Sequence, residues 1–350
     1  MSEIAVLLSG GVDSSLALHL LREEGHSVRA FYLKVWLEEE LAFLGDCPWE
    51  EDLRYARAVC AQAGVSLEVV PLQAEYLERV VECALDELRA GRTPSPDIHC
   101  NRRVKFGVFV ERMGEQYARV ASGHYARIEE RGGRYRLLRA ADPVKDQTYF
   151  LSELDQGQLG RALFPIGRLA KKEVRGLAAK YNLPTQDRKD SQGICFLGRI
   201  DYREFVKARL GERPGPIVER ETGKTLGTHR GLWFHTIGQR HGLGLGGGPW
   251  FVVGKEMDSG VLWVAHQVRE EERLRSRFEV ETPHWIAGPP EQGLLEVKLR
   301  HGPQTTGCNL SPLAGGGWVV ELQEPDPGVA PGQHAVFYQG QVCLGGAVIA

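Results

Sequence analysis

The sequence predicts two halves of different class: an α/β unit with a mostly parallel sheet up to about residue 200, then all-β structure. Three observations carry this. Apolar runs of strand length alternate with amphipathic stretches of helical length through the first half. Glycine then becomes frequent from residue 211, with Gly238, Gly242, Gly244, Gly246, Gly247 and Gly248 close together. Beyond that point the apolar runs are short and separated by Gly/Pro turns, a pattern typical of small barrels.

In chain order, residues 4–8 form an apolar run, and after Ser9-Gly10-Gly11 residues 12–24 read as a helix. Val12, Leu16, Leu20 and Leu21 lie broadly on one of its faces. Gly25 ends that helix, and residues 28–35 give a second strand. A helix over 50–63 stops at Gly64, a third strand follows at 67–70, and helices are expected near 74–90 and 104–113. Residues 118–122 read as another strand. Strands alternating with helices of this length imply a parallel sheet covered on both faces. Short strands are expected at 250–253, 261–264, 278–280, 294–299, 317–322 and 335–338. The domain limits that follow are 1–205, a β-rich central unit at 206–275, and a C-terminal β-barrel at 276–350.

A chain of 350 residues, 42% hydrophobic and 25% charged, suits two or three ordered cores. The formal net charge of −3 does not advertise a nucleic-acid partner, although one basic face can be hidden by an acidic remainder. The longest apolar stretches fall short of the ~20 residues of a membrane-spanning helix. The N-terminus runs into a strand without a basic leader, so a cytoplasmic protein without a membrane partner is expected. Seven cysteines, at 47, 60, 83, 100, 195, 308 and 343, make an odd set with no CxxC pair. A disulfide framework or cysteine zinc site is therefore not expected, and most of the thiols read as small buried hydrophobes.

The segment Leu8-Ser9-Gly10-Gly11-Val12-Asp13-Ser14-Ser15 joins the first strand to the first helix. Its glycines let backbone approach an anion, the helix N-terminus offers unpaired N–H groups, and the serines add hydroxyls. Asp13 would repel a phosphate unless a cation stood between them, so Mg²⁺ bridging Asp13 and pyrophosphate is expected. Neither the lysine of a classical P-loop nor a G-x-G-x-x-G is present. This points away from γ-phosphoryl transfer and toward cleavage between the α and β phosphates.

Thr93-Pro94-Ser95-Pro96-Asp97-Ile98-His99-Cys100-Asn101 is stiffened by two prolines before a helix. A helix start lowers a thiol pKa, and Arg102, Arg103 and Lys105 follow directly. Cys100 is thus a candidate reactive thiol, with Asp97 as base or orienting group. Cys195, in Asp190-Ser191-Gln192-Gly193-Ile194-Cys195-Phe196, reads equally as reactive or buried. Lys145-Asp146-Gln147-Thr148-Tyr149-Phe150 offers cation, amide and ring for RNA. Arg168, Lys171, Lys172, Arg175, Lys180, Arg188 and Lys189 form a basic run, equally explicable as a solvated helix face. Phe234 to Gly242 reads as a glycine-held hairpin or an RNA contact, and Arg300 and His301 could meet a convex RNA.

These segments together resemble the bacterial tRNA-specific 2-thiouridylases, usually called MnmA or TrmU, over nearly the whole chain. The resemblance rests on LSGGVDSS at 8–15, TPSPDIHCN at 93–101, SGHYA at 122–126, KDQTYFL at 145–151, DSQGICF at 190–196 and HTIGQRHGLGLG at 235–246. The first motif alone identifies the wider PP-loop ATP pyrophosphatase class, whose fold is of the adenine nucleotide alpha-hydrolase-like type. The resemblance implies a PP-loop domain, a small central domain and a C-terminal barrel. It implies conversion of the wobble uridine of tRNAs for Lys, Glu and Gln to 2-thiouridine, with ATP cleaved to AMP and pyrophosphate. Cys195 would carry a persulfide, loaded by a cysteine desulfurase or a sulfur-relay protein, and Cys100 would be its partner in a transient disulfide. Asp97 would assist at the target base. Leu33 and Gly123 would line the adenosine site beside residues 8–15. Ser95, Pro96, His124, Lys145, Asp146, Gln147, Arg300, His301 and Gln333 would meet the tRNA anticodon stem-loop. Ser95 stands where the family usually has asparagine, His99 where it has an aliphatic residue, and Val35 where asparagine is common. Rival readings are another PP-loop enzyme without paired thiols, such as an amidotransferase-type synthetase or a lysidine-type ligase, and a non-enzymatic RNA-binding module.

Overall fold

The computed structural model describes residues 3–36, 49–114, 116–189, 201–267, 274–290 and 294–350. Cys47 and the whole of DSQGICF, with Cys195, lie outside the described residues. The N-terminal unit is built on five parallel strands. β1 (Ile4–Leu7), β2 (Val28–Lys34), β3 (Leu67–Pro71), β4 (Arg119–Ala121) and β7 (Ala162–Leu163) stand in the order β3-β2-β1-β4-β7. β1 is buried at all four positions because helices cover both faces. One core joins Leu7 and Phe31 to the helical residues Val80, Leu85, Val104 and Phe109; a second joins Val6 and Ala30 to Leu18, Leu53 and Val59.

Helix α1 (Val12–Glu23) leaves the end of β1, and α2 (Trp49–Ala63) precedes β3. Helix α3 runs over residues 73–89 and α4 over residues 96–113. Both widen to i→i+5 hydrogen bonding, over Leu77–Glu82 in α3 and Cys100–Val108 in α4. Widened turns of this kind are frequent at functional sites. Sequence periodicity placed the start of α4 eight residues late, because Pro94 and Pro96 mask a helix that opens with Pro96 in its first turn.

Strands β5 (Arg127–Arg131) and β6 (Arg134–Leu138) form a hairpin that sequence periodicity does not reveal. After it come α5 (Gln156–Arg161), α6 (Lys171–Lys180) and α7 (Tyr202–Leu210). The central sheet has the order β10-β11-β8-β9, from β8 (Gly215–Glu219), β9 (Thr225–His229), β10 (Trp250–Glu256) and β11 (Val261–His266).

The last sheet contains β12 (Arg275–Val280), β13 (His284–Trp285), β14 (Leu295–Lys298), β15 (Thr306–Pro312), β16 (Trp318–Asp326), β17 (His334–Gln339) and β18 (Val342–Val348). A bridge between Val280 and Ile349 brings the first strand back to the chain just after the last, which closes the barrel. The β5–β6 hairpin joins this same sheet, with Leu138 paired to Val342 and Leu137 to Cys343.

Candidate active site

In an open parallel sheet, a crevice forms at the carboxyl ends of the strands where successive connections leave in opposite directions. Here that point lies between β1 and β4, since β2 stands on one side of β1 and β4 on the other. Leu8 to Ser15 leave β1 there, and Ser122-Gly123-His124 leave β4. Gly10 adopts φ +75°, and a side chain on it would meet the backbone of Asp52. Gly123 lies so close to α1 that a Cβ would stand 2.5 Å from the Ser14 nitrogen. Backbone thus approaches the α1 N-terminus from both sides without side chains, the geometry of an anion cradle. The Ser15 hydroxyl is engaged within the loop, donating to the Gly11 carbonyl at 2.7 Å, and Ser14 Oγ accepts from the Ser9 N–H at 3.2 Å. Leu8 is buried, and Leu33 is half-buried toward the core beneath the crevice.

Asp13 is held by side chains from two other parts of the chain. Its carboxylate accepts from Lys171 Nζ at 2.8 and 2.9 Å and from the Tyr125 hydroxyl at 2.7 Å. Lys171, at the start of α6, thus supplies a cation beside Asp13 that makes its charge tolerable near a phosphate. Among the described residues no group of three or more His, Cys, Asp or Glu side chains could hold a metal ion on its own. Two further members of the basic run that contains Lys171 are also engaged internally. Arg175 donates to the Gln186 carbonyl, and Arg188 donates to the Gly10 carbonyl at 2.7 Å and pairs with Asp52. Lys171 and Arg188 thus brace the phosphate loop, while Arg168, Lys172, Lys180 and Lys189 remain exposed.

A second group of residues gathers around the first turns of α4. Cys100 is buried in the second turn, with Asp97 in the first and Ser95 at the N-cap position before Pro96. Asn101 Nδ2 donates to the Phe150 carbonyl at 3.0 Å. The guanidinium groups after Cys100 point elsewhere: Arg102 pairs with Glu153 at 3.2 Å, and Arg103 donates to the Arg79 carbonyl and Cys83 Sγ. Their expected role as direct thiolate partners is thus not what the geometry provides.

Three other parts of the chain enclose this turn. The Thr93 N–H donates to the Pro331 carbonyl at 2.7 Å, and a Cβ on Gly332 would meet Thr93, so the turn holding Gln333 lies against the motif. Thr93 and Thr236 hydroxyls stand 3.4 Å apart. The His301 ring stacks on Phe150 at 4.6 Å. Arg300 makes a two-pronged pair with Asp326, at 2.9 and 3.0 Å, with half its side chain exposed.

Asp146 requires a correction. It is 2% exposed, and its oxygens accept from Lys298 Nζ at 2.8 Å, the Ala140 N–H at 3.0 Å and the Thr148 hydroxyl. A carboxylate so fully used holds the 140–148 loop on the barrel and is not a surface for RNA. Lys145 is half-buried beside it. Gln147 exchanges hydrogen bonds with Tyr125, whose hydroxyl reaches Asp13, which ties the loop before Phe150 to the phosphate cradle. His124 is partly buried between the Phe106 and Phe164 rings, with Nδ1 2.8 Å from the Ser122 hydroxyl. Burial holds its pKa well below the usual value, with Lys105 adding to the effect, so it is neutral.

Sequence reasoning missed Glu153 and His334. His334 Nε2 lies 2.9 Å from Glu153 Oε1, and the His99 ring stands edge-on to His334 at 5.9 Å. Burial would raise the Glu153 carboxyl, but the His334 hydrogen bond, with the charges of His334, His99 and Arg102, outweighs it and holds the pKa at about 2. Burial, reinforced by Arg103, brings His99 down to about 4. No motif spacing relates residues 99, 153 and 334; the neighbouring aliphatic-to-His departure at 99 was the one visible sign. Buried Cys60 is pushed up to about 11 and Cys308 and Cys343 to about 12 by burial, as expected of unreactive core thiols.

Comparison with known proteins agrees along the whole chain. Residues 2–199 match the family model described as the tRNA methyl transferase HUP domain, 203–266 the PRC-barrel domain, and 275–349 the aminomethyltransferase beta-barrel domain. The tRNA-specific 2-thiouridylase MnmA 1 of Bacteroides thetaiotaomicron is 45% identical, covering 99% of each chain. This chain belongs to the tRNA-specific 2-thiouridylase family. Relatives of the same name in Parabacteroides distasonis and Porphyromonas gingivalis are each 43% identical over 99% of this chain, and over 98% and 99% of their own. Among solved structures, NMN synthetase from Francisella tularensis matches with a TM-score of 0.36 and 16% identity, covering 61% of this chain and 78% of that one.

Proposed function

We propose that this enzyme makes 2-thiouridine in tRNA by activating the C2 oxygen of the wobble uridine with ATP and replacing it with sulfur. The main support is the link between the two clusters. The phosphate cradle at Gly123 and Ser14 is joined through Asp13, Tyr125 and Gln147 to the loop whose next turn holds Asn101 beside Cys100.

The uridine C2 carbonyl has no leaving group. Attack of its oxygen on the α-phosphorus of ATP forms a C2–O–AMP linkage and expels pyrophosphate. The α1 N–H groups and Lys171 would stabilise the departing charge. The outer sulfur of a Cys195 persulfide then bonds to C2, the C2–O bond breaks, and AMP leaves with the electron pair. Cys100 thiolate closes a disulfide onto Cys195 Sγ, and the S–S electrons pass to the sulfur on C2. Alternatively, Cys100 attacks first and releases hydrosulfide, which bonds to C2. In either route a dithiol-type reductant must reopen the disulfide. Ser95, Pro96, His301, Arg300 and Gln333 would meet the loop base as it is extruded, at modest cost because loop bases are poorly stacked. Asp97 would orient the base.

The test incubates the enzyme with anticodon-competent tRNA, ATP and a persulfide donor, followed by nucleoside mass spectrometry. Formation of 2-thiouridine with stoichiometric AMP is expected. Cys195→Ser should abolish thiolation while AMP transfer to tRNA remains measurable; undiminished 2-thiouridine from that variant would refute the assignment.

A further inference from the structure

The three residues that follow Cys100 are each tied down by their side chains. Asn101 Nδ2 donates to the Phe150 carbonyl at 3.0 Å, Arg102 Nη1 to Glu153 Oε2 at 3.2 Å, and Arg103 Nη1 to the Arg79 carbonyl at 3.2 Å. Such ties matter here, because Cys100 opens the stretch with i→i+5 hydrogen bonding, a geometry that helices rarely adopt. Glu153 is the carboxylate among these acceptors. It is 8% exposed, and its other oxygen lies 2.9 Å from His334 Nε2. An ionised carboxylate can only accept, so that imidazole nitrogen donates. Tyr149, on the same short segment, donates its hydroxyl to the His334 carbonyl at 3.1 Å. Residues 149–153 therefore grip α4 at two points and the start of β17 at two more.

Hydrogen bonds to a buried carboxylate are stronger than those to a carbonyl, which makes Glu153 the stiffest of these ties. Its partner Arg102 stands in the same turn as Cys100, so the tie fixes how that turn is rotated. The rest of the machinery is braced separately. Lys171, Arg188 and Tyr125 hold the phosphate cradle, and the Thr93 N–H on the Pro331 carbonyl holds the approach to Asp97. We infer that Glu153 is a positioning residue for sulfur transfer: through Arg102 it fixes the Cys100 turn, and through His334 it registers that turn against the barrel. The inference rests on the proposed thiolation, in which Cys100 must reach a sulfur carried by Cys195. A displaced Cys100 has one of two results. Water attacks C2 of the waiting adenylate, the C2–O bond breaks, and uridine and AMP are returned. Alternatively AMP leaves but the base stays bonded through sulfur to Cys195. Both consume ATP without releasing 2-thiouridine.

The test measures AMP and free 2-thiouridine made by the full-length enzyme from tRNA, ATP, a persulfide donor and a dithiol. Glu153→Gln keeps an oxygen for His334 but offers Arg102 no anion. Arg102→Met breaks the same tie from the other side, and with that side chain 40% exposed it is expected to fold. In each variant 2-thiouridine release should fall about tenfold, the scale of a misplaced reacting group, while AMP formation stays near the wild-type rate. AMP per 2-thiouridine therefore rises about tenfold, and the double variant should match the single ones. A tie that only stabilises the fold would lower both products together and leave their ratio unchanged. Arg102 acting as a simple phosphate contact would raise the KM for tRNA in Arg102→Met at an unchanged ratio. A ratio that rises in Glu153→Gln but not in Arg102→Met would trace the effect to His334 alone. Each of these three results overturns the inference while leaving the parent reading intact. A wild type that makes no 2-thiouridine overturns both.

Discussion

Lys171 and Gly123 carry the sharpest consequences for single side chains. Without Lys171, Asp13 would face an incoming phosphate with an uncompensated charge. Lys171→Met should slow pyrophosphate release by on the order of 100-fold. Adding Asp13→Asn should recover part of that loss, since the repulsion is removed; an additive double variant would contradict the pairing role. Gly123→Ala puts a methyl group where Ser14 presents its N–H. A loss of about 100-fold in ATP turnover is expected together with a lower melting temperature, since the methyl group also presses on the α1 backbone; pyrophosphate release and calorimetry measure the two. Much at this scale was legible. The glycines and Asp13 stand out because their chemistry is rare at a strand-to-helix turn, and Cys100 because it follows two prolines and a carboxylate. The partners of Asp13 were not legible, because Lys171 looks like any other member of a basic run until α6 is placed against α1.

Among elements, α4 shows how neutral histidine limits stability at low pH. His99 has a folded pKa of about 4 against an ordinary 6.5, so the unfolded chain binds its proton first. Stability is complete above 6.5 and falls as pH drops from 6.5 toward 4, by on the order of 1–3 kcal/mol for this group. His235, also at about 4, adds to the same window. Urea midpoints at pH 7 and pH 5 measure the difference, and His99→Leu should shrink it. Glu153 acts in the same sense at lower pH: its contribution is complete above 4.5 and is lost as pH falls from there toward about 2. Periodicity found α1 and α2 because each buries one regular face, and β1 and β2 because each is a short, mostly buried apolar run. It failed at the head of α4, where proline chemistry outweighs pattern, and at β5–β6, whose arginines and glutamates disguise an alternating strand.

For the molecule as a whole, the buried pair of Lys298 and Asp146 joins the barrel to the N-terminal unit with side chains 1% and 2% exposed. Lys298→Met would strand a buried carboxylate and should cost about 3–5 kcal/mol, read as a lower denaturant midpoint. Asp146→Asn with Lys298→Met should cost less than the single change. Such a tie is invisible in sequence because its partners lie 152 positions apart; Asp146 in particular looked like an RNA contact because it sits among Lys145, Gln147 and aromatic residues.

The hairpin of β5 and β6 also bears on how the protein is made. Its free edge waits during synthesis for the chain around Val342 and Cys343, roughly 200 residues later, before Leu137 and Leu138 find their strand partners. Until then the nascent polypeptide displays an open template for pairing with other chains. A nonsense codon that removes only the last strand would therefore do more than shorten the barrel: it would leave a permanently sticky edge on the half that binds nucleotide, and insolubility would precede any loss of catalysis.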